Sequence, residues 1–173
     1  VDIRMTYGNN STTEYTNVEY NELGDKQPYS YPTSIYVEYE YIIIKNNIIS
    51  NTSAAIDGII FKDGSISDNN ISNCDSGINV LFGYPDSYGL IISNNTISNI
   101  TQTGIVVSEF GADIFNNIIE NCGVGFSLGP TNDFGYINFY NNTIHNNNTA
   151  GSLAFFDPMY GMNYQSLNYA SSN

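Results

Sequence analysis

The sequence has no tryptophan, one histidine (His145) and only two cysteines in 173 residues. Basic side chains are nearly missing: Arg4, Lys26, Lys45 and Lys62 face 17 acids, for a formal net charge of −13. Nucleic acids and anionic membranes are held through clustered Lys and Arg, so neither is expected as a partner. No apolar run reaches the roughly 18 residues of a membrane-spanning helix, so direct insertion is not expected either. Two Cys, one His and no CxxC make thiol ligation of a metal a poor reading. No ten-residue window offers an amphipathic helix. The opening VDIRMTYGNN starts on Val rather than Met and reads as no basic-then-apolar leader. Hydrophobic content is nevertheless ordinary, at 41%, and a chain of this length can bury the core of a single domain.

What is abundant is asparagine, in a repeated setting. The pattern Asn-x-Ile-x-Asn is written five times, in NNIISNT, DNNISNC, NNTISNI, NNIIENC and NNTIHNN. The central residues Ile49, Ile71, Ile97, Ile119 and Ile144 are spaced by 22, 26, 22 and 25 residues. Asn stands two places before each (Asn47, Asn69, Asn95, Asn117, Asn142) and two places after (Asn51, Asn73, Asn99, Asn121, Asn146). Five places before lies an apolar column, Ile44, Ile66, Ile92, Ile114 and Phe139. A Gly follows six to nine places after: Gly58, Gly77, Gly104, Gly125 and Gly151.

Within each repeat the apolar period is 2, and the segments are short, β-branched and broken by Asn or Gly. Three short strands per repeat, stacked on the next three, make an all-β solenoid: a single-stranded right-handed parallel β-helix of about five coils of 22–26 residues. Neighbouring coils would lie about 4.8 Å apart. Asn tolerates the left-handed backbone that a sharp bend needs, and its amide can bond the Asn of the next coil. Both ladder positions, Asn51 and Asn99 included, are expected to turn inward.

The run from Tyr41 to Leu153 resembles the pectin-lyase-like superfamily of right-handed parallel β-helices. In style it is similar to the Asn-rich coils of periplasmic copper-maturation β-helices and of disaggregatase-related surface proteins of methanogenic archaea. Such relatives include enzymes, adhesins and spacers, so the resemblance implies fold more than function. The superfamily's pectate lyases use an Arg base, but no Arg follows Arg4; its polygalacturonase-like hydrolases use Asp-Asp and Gly-His-Gly elements, which this chain lacks.

Three segments are expected: an irregular Tyr-rich stretch over 1–40, the β-helix over 41–153 and a tail over 154–173. SIYVEYEYIII reads as a strand entering the first coil. Neither flank offers a capping helix, which points to a module of a longer chain or a subunit covered by a neighbour, self-associating through its uncapped ends. Cys74 and Cys122 share a column two coils apart, a separation of about 10 Å from twice the strand spacing, too far for a disulfide. They are expected to be free and to face inward.

Chemistry would sit on the outer faces and in the loops. Each coil places an acid near aromatics after its Gly-led strand: Asp63 with Phe61, Asp86 within FGYPDSYG, Glu109 with Phe110, Asp133 with Phe134 and Tyr136, and Asp157 with Phe155, Phe156 and Tyr160. Asp86, Glu109 and Asp133 are the candidate catalytic acids, with Tyr84, Tyr88, Phe110 and Phe134 as sugar platforms. The same three carboxylates could hold Ca2+, a hard ion that prefers oxygen; no other cofactor is expected. Exposed turns also collect Asp, Gly and Tyr without any ligand. A second candidate is Glu120 with His145, neighbours on the outward row beside Phe115 and Tyr140; that arrangement fits an acid–base pair or a plain surface ion pair. Eight Asn-x-Ser/Thr sequons (Asn9, Asn10, Asn51, Asn70, Asn94, Asn99, Asn141 and Asn147) fit an extracellular setting.

The reading is an extracellular or cell-surface β-helix module associated with carbohydrate, its partner a polysaccharide or surface glycan. The alternatives are a polysaccharide lyase or glycoside hydrolase, whole or in part, and a subunit of a surface lattice or filament.

Overall fold

The structure, a computed structural model, describes residues 3–5, 16–19, 21–24, 33–39, 42–60, 63–80, 89–108, 111–129 and 137–153. Among these there are nineteen strands and no helix. They form three all-parallel sheets: sheet A of seven strands, and sheets B and C of six each. The chain visits A, B and C in turn, so each strand pairs with the third before it and the third after it. Parallel neighbours joined this way take right-handed crossovers, and the fold is the expected right-handed parallel β-helix.

A central coil shows why these residues adopt it. Leu90–Ser93 runs in sheet B, Thr96–Ser98 in sheet C and Thr103–Ser108 in sheet A. The bend between B and C turns on Asn94, at φ 56°, and the strand in C ends at Asn99, at φ 54°. Asn46, Asn51, Asp68, Asn73, Asn116, Asn121, Asn141 and Asn146 repeat this left-handed backbone in the other coils.

Bending and laddering are thus divided between different asparagines. Asn47, Asn69, Asn95, Asn117 and Asn142 are buried and are not left-handed. Each of the first four donates its backbone and side-chain N–H to the Oδ1 of the next, as in Asn95 to Asn117 at 3.0 and 2.9 Å. The second amide hydrogen reaches back to the previous coil, Asn95 Nδ2 to the Ile66 carbonyl at 2.9 Å. The expectation that Asn51 and Asn99 turn inward is corrected: both side chains are exposed. A left-handed residue leaving the strand of sheet C swings its side chain outward, where no ladder exists.

Inside, the rows stack like on like. The five Ile of the repeat occupy one row of sheet C, and Ile44, Ile66, Ile92, Ile114 and Phe139 one row of sheet B. All are at most 2% exposed. At about 2 kcal/mol for a buried Ile, these rows and the equally buried rows of sheet A, such as Ile35, Ile56, Ile78 and Ile105, form the core. The Gly column needs revision. Register aligns Gly77, Gly104 and Gly125, with Ala55 and Ala150 at its ends. Gly58 instead pairs with Val37 and Val80. Gly151 pairs with Phe126, whose ring fills the space a side chain there would need.

The solenoid also begins before Tyr41. Where an irregular stretch was expected, Ile3–Met5, Thr16–Glu19 and Glu22–Gly24 each pair in parallel with the coil above. Asn21 opens the ladder one rung early, its side chain 3.0 Å from Asn47 Oδ1. SIYVEYEYIII divides into two strands, Thr33–Tyr39 in sheet A and Ile42–Lys45 in sheet B.

Candidate functional site

Outward rows carry the polar chemistry. The row following the Ile of sheet C reads Ser50, Ser72, Ser98, Glu120, His145 in register. His145 Nε2 lies 2.9 Å from Glu120 Oε2, with the two side chains 27% and 31% exposed. Around the bend, on the outward face of sheet B, Phe115 and Tyr140 stack at 5.1 Å with planes 9° apart. On the same two strands, Asn138 donates to Asp113 at 2.7 Å. Two adjacent rungs therefore present an imidazole–carboxylate pair, two stacked rings and an amide–carboxylate pair. Strand register alone brings these pairs together, because identical positions of consecutive coils face the same way.

Beside this patch, the bend from sheet C to sheet A holds a shallow groove of about 490 Å³. Asn99, Thr101, Asn121, Gly123, Asn146 and Asn148 line it. Glu120 and His145 immediately precede Asn121 and Asn146 in the chain. Pattern reading missed the groove because it turned the second Asn of each repeat inward. The available signal was that this Asn ends a strand whose preceding residue already faces out.

Asp86, Glu109, Asp133, Tyr84, Tyr88, Phe110 and Phe134 lie outside the described residues, as do Phe61, Tyr136, Phe155, Phe156, Asp157 and Tyr160. Asp63, the described member of that series, is an exposed turn residue at φ 43°, its carboxylate packed against Gly89 of the next coil. Among the sequons, Asn51, Asn70, Asn94, Asn99 and Asn141 are exposed. The amide of Asn147 is engaged, donating to the Ile119 carbonyl at 3.1 Å and accepting from Cys122 N at 2.7 Å.

On sheet A, Asp57 accepts from Asn79 Nδ2 at 3.0 Å. Burial raises its carboxyl above the ordinary 3.8, against the opposing pull of hydrogen bonds from Asn79 and the Gly58 backbone. A raised folded-state value means that this site favours folding below about pH 3.8 and loses that contribution as pH climbs through the raised value. Asp57→Asn keeps an acceptor for Asn79 and removes the charge. We expect it to melt above the parent at pH 7, with the difference vanishing below about pH 3.8; equal melting at both pH values would refute the burial cost.

These features together define a right-handed parallel β-helix with its polar chemistry displayed on the outside. Residues 2–165 match the family described as periplasmic copper-binding protein (NosD), and the chain belongs to that family. The family is extracytoplasmic by description. No characterised protein and no solved structure matched the chain.

Copper in proteins is held by thiolate, thioether or imidazole, and the described donors do not fit such a centre. Cys74 and Cys122 are buried and outside any disulfide, two rungs apart, with Ile100 between them in the column, and their thiols donate to the Ser72 and Glu120 carbonyls. Burial, first of all, pushes the Cys122 thiol up, away from the ligating thiolate. His145 is engaged by Glu120. Among the described residues no three His, Cys, Asp or Glu side chains converge.

Proposed function

We propose that this chain is an extracytoplasmic β-helix module that lies along a neutral or amino-sugar polysaccharide, its outer face acting as the binding surface. The observation carrying this reading is the juxtaposition of the Phe115–Tyr140 stack with Glu120–His145 across one bend. Aromatic rings accept the apolar faces of pyranoses, while carboxylate, imidazole and amide groups take the hydroxyls. The charge of −13 disfavours acidic glycans. The acid-and-aromatic series of Asp86, Glu109 and Asp133 with Tyr84, Tyr88, Phe110 and Phe134 is proposed as a second set of sugar contacts on the same chemical grounds.

Retention of the parent and of Tyr140→Ala on columns of immobilised chitin and cellulose tests this. Removing one stacking ring should weaken retention about tenfold, or about 1.4 kcal/mol, with an unchanged melting temperature. A parent that passes unretained through every neutral and amino-sugar matrix would defeat the proposal and leave a spacer or lattice role. Glu120–His145 also supports a hydrolytic reading. In that case the parent would release oligosaccharides, and Glu120→Gln would stop release while retention survived. Chelator sensitivity would add Ca2+ at the acidic series.

A further inference from the structure

We infer that the groove at the bend from sheet C to sheet A is a distinct subsite that takes a linear, uncharged polymer of hydroxyl- or acetamido-bearing sugars, aligned with the solenoid axis. This rests on the glycan-binding reading above and specifies which ligand, and in which direction.

The groove crosses three consecutive rungs. Asn99, Asn121 and Asn146 share one backbone geometry, at φ 54°, 54° and 53°, so their side chains leave the bend alike. Their main-chain groups continue the coil stacking: Asn99 N donates to the Glu120 carbonyl at 3.1 Å and Asn121 N to the His145 carbonyl at 3.4 Å. The side chains of Asn99, Asn121, Asn146 and Asn148, and of Thr101, are exposed. Bend chemistry explains Asn at the first three positions. It does not explain Asn148 or Thr101, which are not left-handed.

The groove also sits at a break in the spacing of the Ile-centred rungs. From the Ile of sheet C to the paired apolar residue of sheet A, the count is seven from Ile49 to Ile56, from Ile71 to Ile78, from Ile119 to Phe126 and from Ile144 to Gly151. It is eight from Ile97 to Ile105. The extra residue sets two carbonyls, of Thr101 and Gln102, opposite Gly123, where a Cβ would stand 2.5 and 2.7 Å from them. One residue faces two, as in a bulge, and bulges concentrate at functional sites.

The lining contains no charged side chain. Carboxamides donate and accept at once, which suits hydroxyl and acetamido groups and gives no advantage to carboxylates or sulfates. They recur at the rung spacing of about 4.8 Å, close to the length of one pyranose. A repeating ligand running along the axis meets the same chemistry at each step, whereas a compact metabolite would meet it only once.

The experiment is a calorimetric titration of the full chain with chitohexaose and cellohexaose, and with their dimers. Asn99→Gly/Asn121→Gly removes two carboxamides and keeps the left-handed backbone, which Gly adopts freely. Asn121→Asp, nearly isosteric, places a charge in the groove. Asn51→Gly/Asn73→Gly makes the same change on rungs outside it. We expect the parent to bind a hexamer more tightly than the dimer. Both groove variants should bind about tenfold more weakly, and the outer double variant like the parent. If both groove variants bind as the parent does while Tyr140→Ala weakens binding, the subsite is wrong and the glycan-binding reading stands. Equal affinity for dimer and hexamer removes the axial alignment. If the parent binds none of the four probes and is not retained on chitin or cellulose, both proposals fall.

Discussion

Replacing Asn117 by leucine should cost about 2–6 kcal/mol, from two buried groups orphaned at about 1–3 kcal/mol each. Leucine is close to asparagine in length, so the effect isolates hydrogen bonding. Asn117 is fully buried. Its Oδ1 accepts from the backbone N–H of Asn95 at 3.0 Å and from Asn95 Nδ2 at 2.9 Å. Its Nδ2 donates to the carbonyls of Ile92 at 2.9 Å and Phe115 at 3.1 Å, and to Asn142 Oδ1 at 2.9 Å. In the variant, the Asn95 backbone N–H loses its acceptor and the Ile92 carbonyl its side-chain donor. Water cannot replace either inside a packed coil. Urea unfolding gives the measurement, and Asn121→Gly on the same rung is the comparison. That exposed bend residue should change stability by less than about 1 kcal/mol, because Gly tolerates the left-handed backbone. If the two variants unfolded together near the parent midpoint, the buried ladder would contribute nothing.

The second large effect comes from adding a single methyl group. A Cβ on Gly104 would stand 2.7 Å from the Gly125 carbonyl oxygen and 2.8 Å from Ile119 Cγ2. The first obstacle is main chain in the next rung; the second is a β-branched core side chain with one favoured rotamer. Neither can yield without parting two coils. Gly104→Ala should therefore lose about 3 kcal/mol by overpacking, read from the same urea midpoint. Ala55 and Ala150 carry a methyl in this column at its two ends, so the constraint belongs to the middle rungs. Unchanged stability in Gly104→Ala would mean that the coils part at little cost.

How much of this was readable beforehand depends on what kind of residue was being read. Ile49, Ile71, Ile97, Ile119 and Ile144 announced both the fold and their own burial, because a branched apolar residue recurring once per coil has nowhere to go but inside. Asn was harder. One residue type does two jobs, hydrogen-bonding inside at Asn95 and bending outward at Asn99, and the letter is identical. Backbone angle separates them, and nothing in composition encodes it. The N-terminal coil was hidden because Asn21 is followed by Leu23 where later rungs have Ile, and because the spacing of its strands is looser. Glycines were over-read. Gly58 and Gly151 matched the column by approximate spacing, while pairing assigns them to other rows. For function, Glu120 and His145 were placed side by side by counting from the Ile row, and they are in contact at 2.9 Å. The groove depended on the direction of Asn99 and on one extra residue before Ile105, both of which show only once the strands are paired.

The three corners of each coil differ in how much change they can absorb. From sheet B to sheet C the count between core residues is five in every rung, as from Ile44 to Ile49 and from Phe139 to Ile144. From C to A it is seven in most rungs, eight from Ile97 to Ile105 and 12 from Leu23 to Ile35. From A to the next B it is 10 from Ile56 to Ile66, 14 from Ile78 to Ile92, 9 from Ile105 to Ile114 and 13 from Phe126 to Phe139. The corner from B to C, hinged by the buried ladder, admits no length variation, while the corner from A to B varies from rung to rung. Mutation can therefore rewrite the loops on one edge, rung by rung, without disturbing the scaffold. A duplicated rung would also inherit its docking surface complete, since each ladder Asn offers its Oδ1 to the rung before it and its N–H donors to the rung after it. Such an architecture lets descendants lengthen and vary in specificity independently.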